Sequence, residues 1–99
     1  MDTGIKEGVI EEIIELAKKY DIEKVILFGS RARGDYHRTS DIDIAVCGGN
    51  TARFALDVNE ETSTLLMYDI IDLDASITKE LRVSIETEGR LLYEKVWEF

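Results

Sequence analysis

The chain has 99 residues and a formal net charge of -9, with 44% hydrophobic and 33% charged residues. That length holds one domain built on one sheet and a few helices, expected to span residues 1–99, and the composition excludes a disordered chain. An excess of 21 acids over 12 bases excludes a nucleic-acid surface made of many phosphate contacts, but not a nucleotide site, where a bound cation reverses the local charge.

Met1-Asp2-Thr3-Gly4 carries no signal-peptide pattern, and no apolar run reaches membrane-spanning length. The expectation is a cytoplasmic protein without membrane contact. With no proline in the chain, turns fall to Gly, Asp, Asn and Ser. Val9, Ile13, Leu16, Ala17 and Tyr20 recur at helical spacing, with acids early and lysines late, which predicts a helix over 9–20. Val25-Ile26-Leu27-Phe28 reads as a buried strand ending at Gly29-Ser30. The polar stretch Arg31–Ser40 reads as loop or short helix. A second strand, Asp41–Val46, follows. Its neighbour Cys47, the single cysteine, reads as a small buried residue unable to form an internal disulfide. Thr51 to about Leu66 reads as a helix marked by Phe54, Val58 and Leu65. Met67–Leu73 reads as a third strand. Ser76 is placed as the cap of a last helix facing Ile77, Leu81 and Ile85 inward, with Gly89 as its C-terminal glycine. Leu91-Leu92-Tyr93 closes as a short strand, with Trp97 and Phe99 packing near the end. The fold class is α/β (α+β), a small mixed sheet flanked by helices.

Three features carry possible chemistry. Gly29-Ser30 ends a buried strand, where glycine lets backbone N–H groups approach a ligand and Ser30 adds a hydroxyl for a phosphate oxygen; alone, such turns are usually structural. Asp41 and Asp43 are two apart in a strand and share a face. Adjacent like charges are unfavourable unless a cation lies between them, and Mg2+ is the natural candidate; the ordinary alternative is a hydrated edge. Asp69 interrupts an apolar strand, as does Asp72. Three apart, they face opposite sides, so only one can join the pair, and this spacing does not choose between them. Arg31, Arg33 and Arg38 lie between the serine and the aspartates; arginine can hold phosphate bidentately, yet loop arginines are commonly solvated or paired with acids such as Asp35. His37 reads as a solvated loop histidine.

Together, Gly29-Ser30, ten residues, then Asp41-x-Asp43 resembles the signature of the DNA polymerase beta-like nucleotidyltransferase superfamily. The longer stretches Leu27–Gly34 and Ser40–Val46 look like its minimal branch, the MNT proteins. Tyr68–Leu73 is similar to the branch's third-carboxylate strand, and Glu88-Gly89-Arg90-Leu91-Leu92-Tyr93 to its closing motif, so the resemblance spans most of the chain. It implies the nucleotidyltransferase fold. It also implies triphosphate contacts from Gly29 and Ser30, with Arg31 and Arg33 in support, and two Mg2+ ions (or Mn2+) held by Asp41, Asp43 and Asp69. Asp72 remains the alternative third carboxylate. The implied reaction moves a nucleotide, AMP from ATP, onto an acceptor hydroxyl, with Asp69 as a possible proton acceptor. MNT proteins are commonly encoded with a small helical HEPN partner, and in characterised pairs act as antitoxins that adenylylate it. Two alternatives stand beside this: a non-catalytic antitoxin that masks its partner, and a catalytic subunit acting on a small molecule.

Overall fold

The computed structural model describes residues 3–97. Eight elements alternate: α1 (Glu7–Lys19), β1 (Lys24–Phe28), α2 (Ser30–Arg33), β2 (Ile42–Cys47), α3 (Thr51–Glu61), β3 (Tyr68–Asp72), α4 (Lys79–Glu88) and β4 (Arg90–Glu94). The strands form one mixed sheet in the order β3-β2-β1-β4, so the expected sheet flanked by helices is what the chain builds. β1 is antiparallel to β2 and β4, and β2 is parallel to β3. A parallel pair needs a crossover connection, which α3 supplies.

Helix α1 buries Val9, Ile13, Leu16 and Ala17, and places Glu7 in its first turn and Lys18 and Lys19 in its last, the polarity a helix dipole favours. With Phe54 and Val58 of α3, these residues cover one sheet face and meet Val25, Leu27, Ile42, Ile44 and Val46. Helix α4 covers part of the other face, where Ile85 packs on Phe28 and Ala45. The two-residue period of β2 divides its side chains between these cores. Cover on the α4 side is incomplete: Ala45 is fully buried, Asp43 half-buried and Asp41 exposed. The acids thus stand at the end of the sheet that α4 leaves open.

Most element ends fall within a residue or two of their expected positions. The exceptions have local causes. Helix α3 ends at Glu61, short of about Leu66: Thr62 turns to extended geometry (φ -83°, ψ 151°), its Oγ1 donating to the Val58 carbonyl oxygen at 2.8 Å and hydrogen-bonded to the Tyr68 hydroxyl at 2.9 Å. Leu65, read as an apolar helix marker, is fully exposed. The cap of α4 is Thr78, not Ser76: Thr78 Oγ1 accepts from the Leu81 N–H at 3.2 Å. Gly89 does end α4, but with extended geometry (φ -64°, ψ 145°); a side chain there would collide with the Ile85 carbonyl and Ile26. Cys47 is half-buried rather than buried. Trp97 is exposed beneath the Lys95 ammonium, 4.4 Å from its ring centre, and Phe99 lies outside the described residues. No helix among those residues is long and apolar enough to cross a membrane.

Candidate functional site

β1 ends at Phe28, and Gly29 turns the chain into α2 with φ 73° and ψ -156°, a region essentially reserved for glycine. Phe28 lies opposite Asp43 in the antiparallel register, so this turn runs directly beside the Asp43 carboxylate. A Cβ on Gly29 would collide with Asp43 Oδ2. The glycine is therefore required twice, by its backbone angle and by its neighbour. Ser30, half-buried, opens α2 immediately after it.

On the other side of β2, Asp43 is matched with Asp69 in the parallel register. Partners in register project to the same sheet face. Asp72 is matched with Val46, which belongs to the opposite core. The residue that joins Asp43 is therefore Asp69; Asp72 Oδ1 accepts from the Asp74 N–H at 2.9 Å and closes a local turn. Burial, then the charge of Asp69, then that of Asp41 push the Asp43 carboxyl above its ordinary range, against the opposing pull of Arg33 and Arg31.

Do these residues suit divalent cations? Hard carboxylate oxygens are the donors Mg2+ prefers, and mutual repulsion at Asp43 is what a cation would relieve. The donor chemistry fits. Among the described residues, however, no three His, Cys, Asp or Glu side chains stand as a metal-holding group. The strand register brings the aspartates together; their side chains do not form a closed ligand set.

The arginines divide sharply. Arg31 is almost completely buried. Its Nε donates to the Ser40 carbonyl oxygen at 3.0 Å, Nη1 to that of Thr3 at 3.0 Å, and Nη2 to those of Arg38 at 3.2 Å and His37 at 3.5 Å. Its guanidinium also lies 4.9 Å from the Tyr36 ring centre. Arg31 is thus a clamp on the 34–40 loop that delivers Asp41 to the sheet. Nothing in its sequence context marked it as buried. Arg38 and His37 are exposed, and their backbone oxygens serve that clamp. Arg33 is exposed and paired: Nη1 donates to Glu88 Oε2 at 2.9 Å and Nε to Asp35 Oδ2 at 3.3 Å. A further contact was not foreseen: Arg90 Nε donates to the Ala32 carbonyl oxygen at 2.7 Å. A groove of about 640 Å³, lined among others by Ile5, Val9, Arg38, Thr39, Leu65 and Met67, runs past the Asp41 end of the sheet, and none of the three aspartates lines it.

Similarity to known proteins agrees with this geometry. A Methanocaldococcus jannaschii protein, MJ0604, whose name assigns it provisionally to the protein adenylyltransferases, is 37% identical over 100 residues, covering 89% of this chain and 98% of its own length. The protein adenylyltransferase MntA of Shewanella oneidensis is 34% identical over 76 residues, covering 73% of this chain and 54% of its own length. A crystal structure of a toxin–antitoxin with AMP-PNP superposes with a TM-score of 0.69 at 28% identity, over 87% of this chain and 73% of that one. A crystal structure of the toxin–antitoxin MntA-HpeT carrying two aspartate-to-glutamate changes superposes at 0.68 and 26% identity, over 87% of this chain and 73% of that one. The family model described as polymerase beta, nucleotidyltransferase matches residues 11–97, which include every element from β1 to β4 and most of α1. By that match the chain belongs to the polymerase beta nucleotidyltransferase family.

Proposed function

We propose that this chain transfers AMP from ATP onto a hydroxyl of a partner protein, as the antitoxin of a toxin–antitoxin pair. The observation that carries the reading is the convergence of Asp43 and Asp69, in register on adjacent strands, beside the Gly29-Ser30 turn. The names of its relatives support the reaction and the pairing. The resemblance to MNT proteins supports a small helical HEPN protein as the partner, and the reading sets the reaction in the cytoplasm.

In this reading the Gly29 N–H and Ser30 hydroxyl bind triphosphate oxygens, and Arg33 adds a charged donor. Asp41, Asp43 and Asp69 would hold the divalent cations. Two Mg2+ ions bound there, or Mn2+ in their place, would neutralise triphosphate charge and lower the pKa of the acceptor hydroxyl. In the same reading Asp69, which is exposed, would accept the acceptor's proton. The acceptor oxygen forms its bond to the α-phosphorus as pyrophosphate leaves. Positioning and electrostatics account for most of the rate. A purely masking antitoxin would have no use for three acids gathered on one face.

Co-expression with the neighbouring gene product, followed by intact-mass measurement of that product, tests the proposal. The expected result is an added AMP that disappears with Asp43→Asn. An unmodified partner that still binds the chain would favour masking, and an unmodified partner with adenylylated small molecules would move the acceptor elsewhere.

A further inference from the structure

The closing motif Glu88-Gly89-Arg90 has no part in the reaction just described, yet it grips the element that carries Ser30. Glu88 ends α4 and Arg90 opens β4. From this junction Glu88 reaches Arg33, and Arg90 reaches the Ala32 carbonyl oxygen, so consecutive residues of α2 are held from one place. Gly89 makes the junction possible, since a side chain there would collide with Ile85 and Ile26. Helix α2 has only four residues, and Gly29 provides no side-chain cap. One such turn has no stability of its own, so its position depends on contacts from elsewhere in the chain.

The state of Arg33 is more specific. Glu88 takes Nη1 and Asp35 takes Nε. Nη2 has no protein partner among the described residues. Arg33 closes the four-residue helix that Ser30 opens, so its guanidinium is held at the turn that carries the proposed triphosphate donors. A guanidinium fixed at two nitrogens presents the third in a set direction, with little rotamer freedom left to lose on binding.

We propose that Glu88 is a positioning residue for the triphosphate: with Asp35 it holds the Arg33 guanidinium so that Nη2 takes a phosphate oxygen. This rests on the nucleotidyltransferase reading above. It makes the α4–β4 junction part of the nucleotide site although it touches no nucleotide.

The test is equilibrium binding of ATP, with Mg2+, to the full chain and to Glu88→Gln, Glu88→Asp, Arg33→Ala and the double variant Arg33→Ala with Glu88→Gln. Because the ion pair is partly exposed, Glu88→Gln is expected to raise the Kd only about threefold. Glu88→Asp should recover part of that loss. In the Arg33→Ala background Glu88→Gln should have no further effect, which a merely structural glutamate would not produce. Should Glu88→Gln fold poorly, Asp35→Asn removes the other anchor and is expected to weaken binding likewise. An unchanged or tighter Kd in Glu88→Gln, or an equal loss with Arg33 absent, overturns the proposal while leaving the transferase reading intact. If the unsubstituted chain binds none of ATP, GTP, CTP or UTP with Mg2+ or Mn2+, both fall together.

Discussion

Asp43 of β2 and Asp69 of β3 are direct partners in the parallel register, at the open end of the sheet face that α4 partly covers. Twenty-six positions of sequence separate them, and the α3 crossover brings them side by side. Burial, and then the charge of Asp69, raise the free energy of the Asp43 carboxylate.

Replacing Asp43 should therefore separate stability from activity. Asp43→Asn removes a carboxylate that burial and its neighbours disfavour, so without divalent cations the variant should melt a few degrees above the parent at neutral pH. It should also lose at least about 100-fold in transfer rate, because the proposed cation site would lose a carboxylate. A melting scan and a transfer assay on the same preparation check both. A variant no more stable than the parent would show that Asp43 is not electrostatically strained.

The pH dependence follows in sign. The folded-state pKa of Asp43 is raised, mainly by burial and then by Asp69 and Asp41. Its contribution to stability is therefore greatest below the ordinary aspartate range, where the group is protonated in both states. It is lost as pH rises through the folded value. The stability gap between Asp43→Asn and the parent should accordingly widen from acid to neutral pH and close again below the ordinary range. Melting temperatures measured at intervals across that span, without metal, give the comparison. Added Mg2+ should stabilise the parent and leave the variant unmoved.

Asp69 and Asp72 should behave differently when each becomes asparagine. Asp69→Asn is expected to lose transfer by about 100-fold with little change in stability, since Asp69 is exposed. Asp72→Asn should keep transfer within about threefold, because its side chain belongs to the opposite face and to the Asp74 turn. Equal losses from the two would contradict the register-based assignment.

Arg31 is a stability residue by its contacts. Arg31→Ala should cost about 3 kcal/mol, since it strips hydrogen bonds from the carbonyl oxygens of Thr3, His37, Arg38 and Ser40 in one step. Arg31→Lys should recover little of this, because an ammonium cannot present a planar fork to several acceptors. Denaturant unfolding reads both. If Arg31→Ala unfolds like the parent but loses triphosphate binding, the residue faces the ligand instead.

Gly29→Ala should be worse than its small size suggests. The backbone angle alone costs about 1–3 kcal/mol for a residue with a Cβ, and that Cβ collides with Asp43. Loss of Mg2+-dependent nucleotide binding exceeding the stability loss is the expected outcome. A folded variant with parental binding would mean that the turn can shift away from Asp43.

Much of the molecule was legible in one dimension because its signals are periodic or local. The spacing of Val9, Ile13, Leu16 and Ala17 sufficed for α1, and the two-residue period of β2 sufficed to put Asp43 opposite in facing to Ile42 and Ile44. The Gly29-Ser30 turn lies in one short stretch, and the family resemblance rests on short motifs at Leu27–Gly34, Ser40–Val46, Tyr68–Leu73 and Glu88–Tyr93. Where local polar contacts compete with apolar periodicity the reading slipped. Thr62 stopped α3 short of the exposed Leu65, and Thr78 rather than Ser76 capped α4. Both residues act through a hydroxyl whose partner depends on where the chain turns.

Composition, periodicity and the spacing of Gly29, Ser30, Asp41 and Asp43 determined a small mixed α/β fold and two carboxylates on one face, because those properties follow from backbone geometry that repeats every two or 3.6 residues. Which of Asp69 and Asp72 meets Asp43 was decided only when β3 took its register on β2, since slipping a strand by one residue reverses every side chain. The burial of Arg31, and the reach of Glu88 to Arg33 across 55 positions, were likewise decided by the tertiary structure. Charged side chains look alike in sequence whether solvated or clamped, and only packing against distant backbone distinguishes them.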